Sequence, residues 1–135
     1  MKPARIVLIE DNPADVFLVK MALDENEVPH SLTRFGSGSE ALRVLSAPLD
    51  GVSSRPDLIL LYLNTPQSDG FEVLRQITVV PHLSGVPIAI LTSSRAQTDK
   101  QQAAILGVRY IEKPPHLRKF LDIVGQAVIE MLPSV

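Results

Sequence analysis

The sequence contains no cysteine and no tryptophan, and aromatic residues make up only 4% of its 135 residues. Without cysteine, a disulfide framework, a thiolate metal site and a cysteine nucleophile are all excluded. Basic residues are not in excess, because 13 lysines and arginines stand against 15 acidic residues and give a net charge of −2. This balance argues against a general binder of nucleic acid or of anionic membranes, since both need a basic surface.

Long apolar runs are also missing. No run approaches the roughly 20 residues that a membrane-spanning helix needs. The first residues, MKPARIVLIEDNPAD, reach acidic side chains after a short apolar stretch, which is unlike a signal peptide. Hydrophobic residues make up 45% and charged residues 21% of the chain, as in ordinary globular proteins. We therefore expect one cytoplasmic domain over residues 1–135, long enough to bury a core.

Short apolar segments alternate with longer helical patterns along the chain. The five predicted strands are Ile6–Ile9, Ser31–Phe35, Leu58–Leu63, Val86–Leu91 and Val108–Ile111. Helix-start signals stand at Asn12-Pro13, at Ser37 with Glu40 and at Asp69 with Glu72, and Gly107 is expected to cap a helix over residues 95–106. Residues 46–56 are predicted to be a loop. This alternation favours a parallel sheet with helices on both faces.

Polar residues follow the predicted strands on one side of that sheet. Ligands of such sheets bind beyond the carboxyl ends of the strands. The residues found there are Glu10, Asp11, Tyr62, Asn64, Thr92 and Lys113. Two adjacent carboxylates suit a hard cation such as Mg²⁺, and a hydroxyl with an ammonium suits phosphoryl oxygens. The set lacks a carboxylate that could accept a phosphoryl group, and a tyrosine stands at the end of the third strand instead.

The chain resembles the receiver domains of two-component response regulators over nearly its full length. The resemblance is carried by the phrases IVLIEDNPADVFLVKMAL, PDLILLYLNTPQSDGFEVL, IAILTSS and GVRYIEKP. The first two look most like small single-domain regulators that pair with phytochrome-type histidine kinases. This implies a flavodoxin-like (βα)5 fold with strand order 2-1-3-4-5, a signalling role in a phosphorelay, and no enzyme activity.

The resemblance also implies roles for individual residues. Glu10 and Asp11 match the acidic pair that holds Mg²⁺, and Asn64 matches the residue whose backbone carbonyl binds the same ion. Thr92 matches the switch hydroxyl, Lys113 the invariant lysine and Tyr110 the switch aromatic residue. Tyr62 falls where the family has its phosphoacceptor aspartate.

Tyr62 departs from the family at its central position. A phenol has a reference pKa of about 10 and stays neutral at pH 7, so it is a poor substitute for a nucleophilic carboxylate. Loss of a third negative charge should weaken Mg²⁺ binding. Because a buried phenol rarely lacks a partner, we expect its hydroxyl to bond to Lys113 or to the acidic pair.

Three interpretations of Tyr62 remain open. The chain is a natural pseudo-receiver that acts by protein binding, or an ordinary receiver carrying an Asp-to-Tyr change, or a receiver in which Thr65 or Ser68 accepts the phosphoryl group. Two other classes share the architecture: a flavodoxin-like cofactor protein and a small phosphohydrolase. The acidic IEDNPAD loop speaks against the first, since it would repel a phosphate, and its adjacent acids do not have the spacing that the second needs.

Two apolar features predict partners. Phe17 and Met21 lie one turn apart, opposite the expected core stripe of the first helix, where receivers contact their kinase. On the last helix, Ile123, Ala127 and Ile129 widen the apolar face, as expected for the homodimer that the family forms through α4, β5 and α5. Exposed apolar residues and structural roles for Thr92 and Tyr110 are the simpler alternatives. Without a DNA-binding domain, output is expected to pass through another protein.

Overall fold

The computed structural model describes residues 3–47, 55–63 and 70–132. Within these ranges the elements alternate as predicted: β1 (Ala4–Ile9), α1 (Pro13–Glu25), β2 (His30–Phe35), α2 (Gly38–Leu45), β3 (Leu58–Leu63), α3 (Gly70–Thr78), a short 3-10 helix (Pro81–Leu83), β4 (Ile88–Thr92), α4 (Gln97–Leu106), β5 (Arg109–Glu112) and α5 (Leu117–Met131). All strand pairs are parallel, and the order is β2-β1-β3-β4-β5. The flavodoxin-like sheet with order 2-1-3-4-5 is therefore confirmed.

The hydrogen bonds and backbone conformations at the helix ends explain why the capping residues in the sequence predicted these ends correctly. The Asn12 side chain accepts a hydrogen bond from the Ala14 N–H at 2.9 Å, and Pro13 occupies the first turn of α1. The Ser37 hydroxyl caps α2 by accepting from the Glu40 N–H. Gly107 adopts a left-handed conformation with φ of 72° and ends α4. The predicted cap Asp69 and most of the predicted 46–56 loop lie outside the described residues.

The sheet is covered by apolar side chains on both faces. Successive residues of β3 point to opposite faces, so Leu58, Leu60 and Tyr62 join the core beneath α1 and α5. The alternate residues Ile59, Leu61 and Leu63 join the core on the side of α2, α3 and α4. Tyr62 is thus placed on the α1–α5 side of the sheet by strand geometry alone.

Helices α1 and α5 are joined by a close polar contact. The Asn26 side-chain amide, just after α1, donates to the backbone carbonyls of Ala22 at 2.8 Å and Leu121 at 3.0 Å. Gly125 leaves the space that this amide occupies, because a Cβ there would lie 1.9 Å from Asn26 Nδ2. The junction fixes α1 against α5 at the end of α1 remote from Asp11.

Two surface predictions need correction. Ala127 is buried in the core with Val124 and Val128, so it belongs to the sheet-facing stripe of α5 and does not widen its outer face. Met21 packs partly against the same core, whereas Phe17 is 60% exposed. The apolar stripe of α1 therefore curves further around the helix than its spacing suggested. Ile123 and Ile129 are exposed as predicted.

None of the helices in the described ranges is both long enough and apolar enough to cross a bilayer.

Candidate functional site

The acidic pair directly follows β1, but its two side chains have different environments. Glu10 is only 2% exposed, and its Oε1 accepts a hydrogen bond from the Asn12 N–H at 2.9 Å. Its own backbone N–H continues the pairing with β2 by donating to the Phe35 carbonyl. Asp11 is exposed. One carboxylate is therefore held inward at the edge of the sheet and the other faces solvent.

Arg34 holds the backbone of the acidic pair. Its Nε donates to the Glu10 carbonyl at 3.0 Å and a terminal guanidinium nitrogen donates to the Asp11 carbonyl at 2.9 Å. The planar guanidinium fixes both peptide units at once. Arg34 is a residue that sequence reasoning missed. Its only signal was an arginine at the carboxyl end of the strand expected beside β1.

Thr92 ends β4 and is 3% exposed. Its hydroxyl oxygen accepts a hydrogen bond from the Ser94 N–H at 3.0 Å, so it organises the turn after the strand. Thr92 therefore has the structural role that was the simpler alternative, since its hydroxyl caps the turn after β4. The hydroxyl hydrogen remains available to donate to a ligand, because in this bond the oxygen only accepts.

Tyr110 is tied to the same turn. Its hydroxyl donates to the Ser94 carbonyl, and the Ser94 hydroxyl donates to the Asp99 carboxylate at 2.7 Å in the first turns of α4. Burial raises the pKa of the Tyr110 phenol, which keeps it a donor at neutral pH. This chain of bonds couples β5 to the start of α4 through Ser94.

Lys113 follows β5, and its backbone N–H donates to the Thr92 carbonyl at 2.6 Å. Its ammonium does not extend into solvent like a typical surface lysine. The Nζ atom lies 3.2 Å from Asp15 Oδ1 in α1 and 5.5 Å from the centroid of the Tyr62 ring. Lys113 is therefore directed back over the end of β3.

Tyr62 is 7% exposed, and its hydroxyl has no hydrogen-bond partner in the described structure. The expected bond to Lys113 or the acidic pair is therefore wrong. Lys113 lies over the face of the ring, within the distance of a cation–π contact, and its ammonium pairs with Asp15. Burial raises the pKa of the Tyr62 phenol far above its usual value, and the carboxylates of Asp15 and Glu10 raise it further.

The strand ends thus bring together Glu10, Tyr62 and Lys113, with Asp15 added from α1. Asn64, the predicted backbone ligand, lies outside the described residues. Within the described ranges, no three or more histidine, cysteine or acidic side chains are placed together to hold a metal ion. The oxygen chemistry of Glu10 and Asp11 fits a divalent cation, but in the described part they supply two carboxylates where a tighter site has three.

Asp15 is the second residue that sequence reasoning missed. It lies in the first turn of α1, where an acidic residue is usually explained by the helix dipole. Only the fold shows that this turn faces the end of β5, 98 positions away in sequence.

Comparison with known proteins agrees with this geometry. Residues 6–125 match the model of the response regulator receiver domain family. The chain belongs to this family. Response regulator Rcp1 of Synechocystis sp. is 36% identical to the receiver over 124 residues, which are 90% of this chain and 84% of Rcp1. The probable methanogenesis regulatory protein FilR2 of Methanothrix harundinacea is 34% identical over 113 residues, covering 83% of this chain and 73% of FilR2.

Solved structures similar to this receiver include two response regulators, one of which is a cyanobacterial phytochrome response regulator. The phosphorylated cyanobacterial phytochrome response regulator RcpA has a TM-score of 0.83 at 37% identity, covering 98% of this chain and 99% of RcpA. The Mn²⁺-bound form of Rcp1 has a TM-score of 0.82 at 34% identity, covering 98% and 97%. These findings confirm a receiver of two-component signalling that acts as a regulator rather than an enzyme. The receiver family is therefore favoured over the two other classes with this architecture, the flavodoxin-like cofactor protein and the small phosphohydrolase.

Proposed function

We propose that this receiver is a pseudo-receiver, which signals by binding other proteins and not by accepting a phosphoryl group. The observation that carries the proposal is Tyr62, a buried aromatic residue at the position where the family resemblance puts the acceptor aspartate. The domain is taken to comprise residues 1–135 and to act in the cytoplasm.

The chemistry of Tyr62 supports this proposal. An acceptor aspartate attacks phosphorus with a carboxylate that is ionised at pH 7, and an acyl phosphate results. The raised pKa of the Tyr62 phenol keeps its proton in place at that pH. Within the described residues, its hydroxyl has no base in hydrogen-bond contact to remove the proton. Even a phosphorylated phenol would be an ester without the high transfer potential of an acyl phosphate.

Divalent cation binding belongs to the same proposal, in weakened form. Glu10 and Asp11 would hold Mg²⁺ through carboxylate oxygens, with a backbone carbonyl of Asn64 as a further donor. Bound Mg²⁺ would neutralise phosphoryl oxygens in this pocket. The neutral phenol of Tyr62 replaces a third anionic ligand, so affinity should be lower than with three carboxylates. A solved structure of the similar regulator Rcp1 contains Mn²⁺, which supports a divalent site in this family.

The proposed partner is a histidine kinase of the phytochrome type, in line with the names of the similar regulators RcpA and a bacteriophytochrome response regulator of 29% identity. The candidate contact is the outer face of α1. Phe17 and Met21 stand there in a groove that is completed by Lys20, Asp24 and Glu25. An exposed aromatic side chain framed by charges is a typical anchor of a protein interface.

The α1 face can be tested with phytochrome-type histidine kinases from the source genome. Phe17→Ala should weaken binding about tenfold, the usual cost of truncating an interfacial aromatic anchor. Affinity is measured by calorimetry with the purified dimerisation domain of the kinase. Val79→Ala is the control, because Val79 is an exposed apolar residue beyond α3, at 76% exposure. Equal affinities for the Phe17→Ala and parent chains would remove α1 from the interface.

A homodimer through α4, β5 and α5 is proposed as well. Ile105 of α4 is 83% exposed and Ile123 of α5 is 43% exposed, so this side of the molecule presents apolar area. On this side, Arg109 of β5 pairs with Glu130 of α5 at 2.7 Å. Sedimentation velocity tests this assembly, and a monomer at every concentration would rule it out.

Intact mass after incubation with Mg²⁺ and acetyl phosphate tests the pseudo-receiver itself. The parent chain should gain nothing, and the Tyr62→Asp chain should gain the mass of one phosphoryl group, because it restores an ionised nucleophile beside Lys113. Tyr62→Phe is the matched control: it keeps the ring, lacks any nucleophile and should stay unmodified.

The possible outcomes lead to different conclusions. If the parent gains a phosphoryl group, another acceptor exists, and peptide mapping would locate it among candidates such as Thr65 and Ser68, which lie outside the described residues. If neither chain gains one, the pocket no longer supports phosphoryl transfer. Phosphorylation of the Tyr62→Asp chain also fits an ordinary receiver with an Asp-to-Tyr change.

A further inference from the structure

Asp15 and Lys113 form an ion pair that joins α1 to the end of β5. Their Oδ1 and Nζ atoms lie 3.2 Å apart, and the side chains are 15% and 32% exposed. In five further ion pairs at least one side chain is 58% exposed or more: Glu72–Arg75, Arg95–Glu112, Arg109–Glu130, Glu25–Arg118 and Arg118–Asp122. The Asp15–Lys113 pair is thus the most shielded among them, where attraction between charges is least weakened by water.

The pair has a third member beneath it. Lys113 Nζ lies 5.5 Å from the centroid of the Tyr62 ring, so the ammonium is attracted by both a carboxylate and an aromatic face. The backbone of Lys113 is fixed by its bond to the Thr92 carbonyl, and Pro114 follows it. With the backbone held, the direction of the side chain is decided by what the ammonium can reach.

We propose that Asp15 is a positioning residue that holds Lys113 over the Tyr62 ring and occupies the ammonium that would otherwise meet an incoming phosphoryl anion. Asp15 serves as a built-in anion beside the pocket. The part of this proposal that concerns phosphoryl anions rests on the proposed function. The positioning of Lys113 does not.

A purely structural role for Asp15 makes a different prediction. As an acidic residue in the first turn of α1, it would stabilise the helix by its charge alone, without regard to Lys113. Removing it would then lower stability and leave the Lys113 side chain in place. A measurement of where the Lys113 side chain lies therefore distinguishes a positioning role of Asp15 from simple stabilisation of α1.

The position of the Lys113 side chain can be measured by nuclear magnetic resonance. Protons of the Lys113 side chain above an aromatic face are shifted upfield by its ring current, and Lys113→Arg identifies their signals. Asp15→Asn should move these signals to ordinary lysine values, and Asp15→Glu should restore part of the shift. Asp122→Asn is the matched control, because it removes one carboxylate from a surface ion pair with Arg118 and should change nothing. An unchanged upfield shift in the Asp15→Asn chain would overturn the positioning role.

The second experiment measures the rate at which the Tyr62→Asp chain gains a phosphoryl group from acetyl phosphate. Adding Asp15→Asn should raise the initial rate of phosphoryl gain about three- to tenfold, because one repelling charge is removed and Lys113 is released. Adding Asp122→Asn should leave the rate unchanged. An equal or lower rate with Asp15→Asn would overturn the competition with phosphoryl anions. If the Tyr62→Asp chain gains no phosphoryl group at all, the pocket no longer supports phosphoryl transfer and the part of the proposal that concerns phosphoryl anions falls, while the resonance result on the parent chain still decides the role of Asp15.

Discussion

The Tyr62→Asp chain should be about 3 kcal/mol less stable than the parent without metal, and Mg²⁺ should restore most of the loss. The site of the substitution is 7% exposed and lies beneath α1 and α5. Truncating the ring leaves unfilled space in that core. A new carboxylate there also joins Asp15 and Glu10, the two acids that already raise the pKa of the phenol. Lys113 offsets this repulsion only in part, because Asp15 already binds it.

The metal response follows from the same charges. In the Tyr62→Asp chain, the carboxylates of Glu10, Asp11 and the new side chain at position 62 repel one another until a divalent cation binds between them. A cation that binds only the folded state stabilises it by about 2.7 kcal/mol at 100 times the dissociation constant. The parent has two carboxylates and a neutral phenol, so its response to Mg²⁺ should be small. Urea unfolding with and without Mg²⁺, followed by circular dichroism, measures both chains.

The pH dependence of stability tests whether charge repulsion contributes to the lower stability of the Tyr62→Asp chain. Burial and two nearby acids should raise the folded-state pKa of the introduced carboxyl above its unfolded value of about 3.9. The folded chain then binds more protons than the unfolded chain between those two values, so stability relative to the parent falls as pH rises through that window. Without metal, the deficit should therefore shrink on acidification.

Tyr62→Phe is the matched control for the ring. It removes a hydroxyl that is buried without a partner in the described structure, so it should be as stable as the parent or about 1 kcal/mol more stable. It should respond to Mg²⁺ as the parent does. A Tyr62→Asp chain that is as stable as the parent and insensitive to Mg²⁺ would show that Glu10 and Asp11 are not part of a metal site.

The fold was predictable because its signals are local. Strands buried on both faces appear as continuous apolar runs, and β3 was predicted with the bounds Leu58–Leu63 that the structure has. Helix caps at Asn12, Ser37 and Gly107 depend on side-chain or backbone chemistry within a few residues. Strand ends shifted by one or two residues, as at β4, where Ile88 rather than Val86 begins the ladder.

The candidate site was predictable only in outline. Parallel strands must bring their carboxyl ends to one edge, which is why Glu10, Tyr62, Thr92 and Lys113 could be grouped from sequence. The direction of a long side chain is set by partners that are distant in sequence. Lys113 turns toward Asp15, and this leaves the Tyr62 hydroxyl without the bond that was expected. No periodicity in the sequence encodes such a pairing.

Gly125→Ala should destabilise the protein by about 2 kcal/mol, although alanine normally favours a helix. The added Cβ would lie 1.9 Å from Nδ2, 2.3 Å from Cγ and 2.9 Å from Cβ of Asn26, so the whole side chain has to move. Its two hydrogen bonds, to the Ala22 and Leu121 carbonyls, are lost with it. The helix gain of at most about 1 kcal/mol does not compensate.

The sign of this effect should reverse when Asn26 is absent. Asn26→Gly alone should cost about 1–2 kcal/mol through its lost hydrogen bonds. In that background the three close contacts with the Asn26 side chain are gone, and Gly125→Ala should stabilise by about 0.5–1 kcal/mol, the ordinary helix preference of alanine over glycine. Urea unfolding of the four chains gives the coupling between the two positions directly.

Gly36→Ala is the control, since its nearest contact would be an Arg34 nitrogen at 3.9 Å and its effect should be the same with or without Asn26. If Gly125→Ala destabilises equally in both backgrounds, the contact with Asn26 is not the cause. If the coupling is found, this junction fixes how α1 lies against α5. Asp15 and Phe17 are both on α1, so the Gly125→Ala chain should then also disturb the Lys113 position and the proposed kinase-binding face, which Gly36→Ala leaves intact.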